Sequence, residues 1–124
     1  MTKELEQRLS EAGIDPHFIQ RLRSIGGPNL VEQLIGMFRT RGPELVQTIE
    51  QGLADGNLES AKSAAHSLIS SAGNLGGTRV SQMASAIEQA AVKGDAQEIG
   101  NTLDSFKATF QAFNEYLDSM LEKS

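Results

Sequence analysis

The sequence predicts an all-α protein: an antiparallel up-down-up-down four-helix bundle preceded by short N-terminal helices. Three observations carry that prediction. Apolar residues recur at three- and four-residue spacing in several separate stretches, most clearly Ile99, Leu103, Phe106, Phe110, Phe113, Leu117 and Met120, the pattern of one buried stripe on a helix. No run alternates apolar and polar residues for more than a few positions, so no strand is predicted. The stretches are separated by brief Gly-, Asp- and Asn-containing connections, and short connections make successive helices antiparallel neighbours.

In chain order, Leu5, Leu9 and Ala12 mark a short first helix ending at Gly13, marginal without a packing partner. Asp15-Pro16 reads as an N-cap followed by proline at the first helical position, opening a helix with Phe18, Ile19, Leu22 and Ile25 on its apolar side. Gly26-Gly27 ends it, and Pro28 opens a long helix with Leu30, Val31, Leu34, Ile35 and Phe38 on one face. That face resumes as Leu45, Val46, Ile49 and Leu53 after Gly42-Pro43, where the proline is expected to kink the helix. Gly56 then acts as a stop and Asn57 as the next N-cap. The helix that follows carries Leu58, Ala61, Ala65, Leu68, Ala72 and Leu75 on its stripe and closes over Asn74 to Gly77. Thr78 or a neighbour caps a further helix lined by Val80, Met83, Ala84, Ile87 and Ala91. Lys93-Gly94-Asp95 separates it from the last helix.

The 124 residues suit one domain, 1–124, with 1–27 as leading helices and 28–122 as the bundle, large enough to bury a core unaided. With no cysteine, a disulfide framework, a thiolate zinc site and thiol catalysis are all excluded. A net charge of −5 spread along the chain argues against a nucleic-acid partner, which selects for clustered Lys and Arg. The charged N-terminus lacks a secretory core and no apolar run reaches bilayer length, so a soluble, cytoplasmic protein with no membrane contact is expected. Glycines at 73, 76 and 77 do not make a phosphate loop, since no Gly-Lys-Ser/Thr follows. The acidic residues Glu11, Asp15, Asp95 and Glu98 sit at helix boundaries, and none forms a paired-carboxylate site. His17, beside Pro16, reads as a surface residue.

His66 is different. At about 100° per residue it lies roughly 130° from the centre of its helix's apolar stripe, so the imidazole is expected to face solvent. Lys62 and Ser70 lie one turn to either side, with Glu59, Ile69 and Gly73 around them. A lone helical histidine is most often a surface residue without a task. Here the neighbours Ala64, Ala65, Ser67, Ser70 and Ser71 are small enough for another protein to approach closely, and Lys62 supplies a nearby cation.

The run Ala65-His66-Ser67-Leu68, then Ser71, then Leu75-Gly76 resembles the signature of the histidine-containing phosphotransfer (HPt) domain family, commonly Ala-His-x-Leu-Lys-Gly-Ser ending in Leu-Gly. Phe38 followed by Gly42-Pro43-Glu44-Leu45, and Ile87-Glu88 downstream, are also similar to the family's flanking segments, so the likeness runs from about Phe18 to Leu121. The sequence departs from the pattern at two positions: Ile69 stands for the usual lysine and Ser70 for the usual glycine.

The resemblance implies a four-helix bundle with the histidine exposed on its second long helix. It also implies a phosphocarrier in which His66 exchanges a phosphoryl group with receiver-domain aspartates. Lys62, Ser70 and Glu88 would support the phosphoryl group or the imidazole, Glu88 by a hydrogen bond to Nδ1. Glu59, Ile69 and Gly73 would contact the partner. The implied partners are a response-regulator receiver and an upstream hybrid histidine kinase. The domain would be a monomer and a substrate more than an enzyme, with no cofactor or metal of its own, Mg²⁺ being supplied by the receiver. A module of the same fold that docks without carrying phosphate is the alternative.

Overall fold

The structure, a computed structural model, describes residues 2–122. It contains α1 (Lys3–Glu11), α2 (Phe18–Asp55), α3 (Leu58–Gly73), α4 (Thr78–Val92) and α5 (Ala96–Glu122), with no strand among the described residues. Gly27, at φ 80° and ψ 173°, breaks α2 into a leading arm and a long arm, a conformation that only glycine adopts without strain. The long arm of α2 packs on α3, α3 on α4, α4 on α5, and α5 back on α2. Neighbours in sequence are neighbours in space and the ring closes, which is the predicted four-helix bundle.

Its core follows the predicted stripes. Val31, Ile35, Phe38 and Ile49 of α2, Ala61, Ala65, Leu68 and Ala72 of α3, Val80, Ala84 and Ile87 of α4, and Ile99, Phe106, Phe113 and Leu117 of α5 are at most 3% exposed. The stripes of α3 and α4 are rich in alanine, which lets those helices approach closely. The phenylalanines of α5 fill the space towards α2: Phe38 lies 5.5 Å from Phe110 and 5.4 Å from Phe113, centroid to centroid, in the tilted and edge-on arrangements that aromatic pairs favour. Each such side chain contributes about 1.5–3 kcal/mol on burial.

Local capping fixes where the helices begin. Thr2 accepts from the Leu5 N–H, Asn57 Oδ1 from the Ser60 N–H and Asp95 Oδ1 from the Glu98 N–H, each satisfying an orphan donor of a first turn. At the start of α4, of the expected candidates, Thr78 or a neighbour, it is the neighbour that takes the cap position. This is Gly77, which offers no side chain, and the Arg79 N–H instead donates 2.9 Å to the Gly13 carbonyl. A second bond, from the Asp15 N–H to the Gly76 carbonyl at 2.9 Å, completes a two-bond clasp between the 12–15 turn and the 74–79 turn. With buried Ile14, it seats the N-terminal segments on one end of the bundle.

Several sequence expectations are corrected. The helix after Asp15 begins at Phe18 with His17 as its cap position. Asp15 instead accepts the His17 N–H at 3.0 Å and the Arg21 guanidinium at 2.7 Å. The bond from the His17 backbone, aided by Arg21, holds the Asp15 carboxyl below its usual range. Ile25, expected on the apolar side, is 82% exposed, because the chain turns at Gly27 before its face meets the bundle. The helix continues through Pro43, and the non-helical residue of α2 is Gly27. Pro43 is exposed, so its ring lies on the solvent side. Gly42 has a packing reason, since a Cβ there would lie 2.9 Å from Cζ of Phe110.

Candidate functional site

Asn57 sets the start of α3, and burial of Ala61, Ala65, Leu68 and Ala72 fixes its rotation about its own axis. With that stripe inward, His66 faces outward and its side chain is 74% exposed. On α4 the 1%-exposed Ile87 is the anchor. The next residue, Glu88, therefore falls at the rim of the α3–α4 seam, 25% exposed by its side chain. Its Oε2 lies 2.6 Å from His66 Nδ1. Close by, the Ser81 hydroxyl donates 2.7 Å to the Ile69 carbonyl, tying α4 to α3 one turn beyond the histidine.

The contact has a chemical consequence. An ionised carboxylate only accepts hydrogen bonds, so Nδ1 carries the proton. In the neutral ring the free lone pair is then on Nε2, the nitrogen away from the carboxylate. The imidazole is held from one side in a chosen tautomer and left open on the other.

The remaining sequence-predicted residues group around it unequally. Lys62 sits one turn before His66, but its Nζ is 3.2 Å from Glu59 Oε1, so these two residues pair with each other. Ser70 is exposed on the same face. Ile69 is only half-buried and packs against the core cluster. Gly73 is half-buried, and a Cβ there would make an ordinary 3.6 Å contact with Ser81 Oγ. His17 lies apart from this group, its Nε2 3.6 Å from Glu6 Oε1.

Sequence reasoning missed two features. Ser81, which ties the seam, is an ordinary helical serine with no distinguishing signal. On the other side of α3, a groove of about 170 Å³ runs along α2, lined by Leu34, Met37, Phe38, Arg41, Ser71 and Asn74, with Met37 67% exposed. Its signal was present as a second stripe, Leu30, Leu34, Met37 and Arg41, offset by one residue from the core stripe. Among the described residues, no group of three or more His, Cys, Asp or Glu could hold a metal, and no helix is long and apolar enough to cross a membrane.

An exposed histidine thus stands on the second long helix of a bundle, braced by a carboxylate of the next helix. A family model described as the Hpt domain matches residues 33–123, and the chain belongs to that family. Its role is that of a phosphocarrier in phosphorelay signalling, working with receiver domains and histidine kinases and not as a catalyst. The fold is similar to the crystal structure of histidine-containing phosphotransfer protein B (HptB) from Pseudomonas aeruginosa PAO1, with a TM-score of 0.83 at 15% sequence identity. The likeness covers 90% of this chain and 96% of that one. No curated protein matches the sequence.

Proposed function

We propose that His66 is the phosphorylated residue of this carrier, and that Nε2 is the atom that bears the phosphoryl group. The observation that carries the proposal is the pairing of a 74%-exposed imidazole with a 2.6 Å bond at Nδ1, which leaves the nucleophilic lone pair on the accessible nitrogen. In the loading step, Nε2 attacks the phosphorus of a receiver's phospho-aspartate. The Nε2–P bond forms, the O–P bond breaks, and the aspartate leaves as a carboxylate. Nδ1 keeps its proton, and the ring becomes cationic beside the Glu88 carboxylate.

No second acid or base of this chain is needed. Charge neutralisation on the transferring group falls to the receiver's own acidic, Mg²⁺-dependent site. Lys62 and Ser70, one turn to either side of His66, would be the groups of this chain to assist, and Glu59, Ile69 and Gly73 would form the contact rim. We further assign the chain to the cytoplasm, as a monomer with no cofactor of its own, between a hybrid histidine kinase and a receiver.

Incubation with a phosphorylated receiver is the test. Acid-labile, base-stable label is expected on the wild-type protein and is expected to vanish in His66→Gln. Label that persists in that variant would overturn the assignment. The replacement of the usual lysine and glycine by Ile69 and Ser70 favours one competing reading, a module that docks without transfer. Stable receiver binding with no label on the wild type would establish it.

A further inference from the structure

A cavity of about 300 Å³ lies where α1, the leading arm of α2 and the last turns of α5 meet. Leu5 and Leu9 of α1 and Met120 of α5 supply its apolar wall, and Gln20, Arg23 and Tyr116 its polar one. Leu5, Leu9, Gln20 and Arg23 all precede residue 33, where the match to the Hpt domain begins, so the cavity belongs to this chain's own leading segment and not to the matched bundle. Its polar groups suit an anion. Arg23 is the charged residue of the lining. Its Nη2 donates 3.1 Å to the Met120 carbonyl, which fixes the guanidinium in place, and no carboxylate pairs with it among the described residues. Asp15, the acid that bears on this corner, is engaged by Arg21 at 2.7 Å. The Tyr116 hydroxyl is buried and has no hydrogen-bond partner among the described residues. Burial first, and then the Asp15 carboxylate, push its pKa above the ordinary range, against the opposing effect of Arg23, so at neutral pH it is an O–H donor. A guanidinium with N–H groups to spare beside a phenol O–H is a donor set for a carboxylate.

We propose that this cavity binds a small amphipathic monocarboxylate, its carboxylate on Arg23 and the Tyr116 hydroxyl and its short apolar chain against Leu5, Leu9 and Met120. One unpaired cation matches one negative charge, whereas a dianion such as a phosphate ester would leave a charge uncompensated. The volume is at the lower end for small-molecule sites, which limits the ligand to a carboxylate with a short chain or a single ring. Entry is through α1. That helix contains no buried residue, so the wall formed by Leu5 and Leu9 can move outward without opening the core. Leu5 is 38% exposed, and an apolar chain beneath it would give α1 the cover it lacks. The ligand therefore holds α1 down on the end of the bundle, and the docked arrangement is stabilised by mass action.

Hexanoate is the probe and hexanol, with the same chain and no charge, its control, each titrated into the full chain and followed by ¹H–¹⁵N NMR. A probe of about eight non-hydrogen atoms should bind in the millimolar range. Saturable shifts are expected at the amides of Leu9, Arg23 and Tyr116 with that of His66 unmoved, and hexanol should bind about tenfold more weakly or worse. Arg23→Gln should weaken hexanoate about tenfold and leave hexanol unchanged. Tyr116→Phe should weaken hexanoate about threefold, and Leu9→Trp, which fills the cavity, should abolish binding of both probes. The contrast between hexanoate and hexanol is read on the unaltered chain and does not depend on any variant folding. Equal affinity for the two probes, hexanoate binding unchanged by Arg23→Gln, or no saturable shift up to about 20 mM would overturn the proposal. None of these measurements involves phosphate or a receiver, so their outcome is independent of the assignment of His66.

Discussion

Gly76→Ala is expected to be among the more damaging single-methyl additions to this fold, and its size can be worked out by comparison with Gly94→Ala. Both glycines are left-handed, at φ 82° and φ 72°. Placing alanine there costs about 1–2 kcal/mol in backbone strain, partly offset by about 0.4–1 kcal/mol from a less flexible unfolded chain. The two sites differ in what the new methyl meets. At Gly94 nothing lies within 4 Å, whereas at Gly76 the Cβ would sit 2.7 Å from Cβ and 3.1 Å from Cγ of Phe18. These are atoms near the backbone of the first α2 residue, and the Asp15-to-Gly76 bond holds that segment in place. Overpacking of this kind adds about 1–3 kcal/mol. Gly94→Ala should therefore lose about 1 kcal/mol and Gly76→Ala about 2–4 kcal/mol, a gap of about 5–10 °C in melting temperature for a domain of this size. Circular dichroism melts and urea titrations at 222 nm read it directly. Phe18→Ala in the Gly76→Ala background removes Cγ but keeps the Cβ at 2.7 Å, so most of the excess should remain. Equal melting of the two alanine variants would refute the packing argument and leave only backbone strain.

Acid should act through Asp15. Its folded-state carboxyl lies below the ordinary 3.8, chiefly through the His17 N–H, so its stabilisation is present above that value and is lost as pH falls through the lower folded one. The stability difference between wild type and Asp15→Asn should be full at neutral pH and close below about pH 4; a difference that persists unchanged at pH 2 would show that the carboxylate's charge is irrelevant. Ile69→Lys should leave stability nearly unchanged, because a lysine stem can cover the same half-buried surface while its ammonium reaches water. It should also speed receiver-dependent labelling of His66 severalfold, while an unchanged rate would show that no cation is missing.

The bundle was legible because α3, α4 and α5 each carry a clean apolar stripe, and burial of a stripe is what fixes a helix in a bundle. What was misread depended on contacts between distant residues. Thr78 or a neighbour was as far as the cap of α4 could be read, because the acceptor for the Arg79 N–H is the Gly13 carbonyl, some 65 residues earlier in the sequence. Ile25 continued a helical pattern and so seemed to belong to a core that the chain had already left. The Leu75-Gly76 pair, met as part of a family signature, has a structural explanation: Leu75 is 2% exposed and Gly76 supplies the left-handed turn that receives the Asp15 N–H.

The site was legible in a different way. Periodicity alone places His66 outward, since that needs only the stripe of its own helix. It cannot find Glu88, because a partner on another helix depends on the spacing and register of two helices; only the likeness to a known family pointed there. The structure supplies the physical reason that the pair meets. Ala61, Ala65 and Ala72 of α3 and Ala84 of α4 are all fully buried, and methyl-sized side chains allow the close helix approach that larger ones would prevent. The Ser81-to-Ile69 bond then fixes the register between α3 and α4. A 2.6 Å contact between side chains 22 residues apart thus rests on residues that never touch the imidazole. The chemistry of His66 is set by the packing of the α3–α4 seam as much as by the residues that would touch the phosphoryl group.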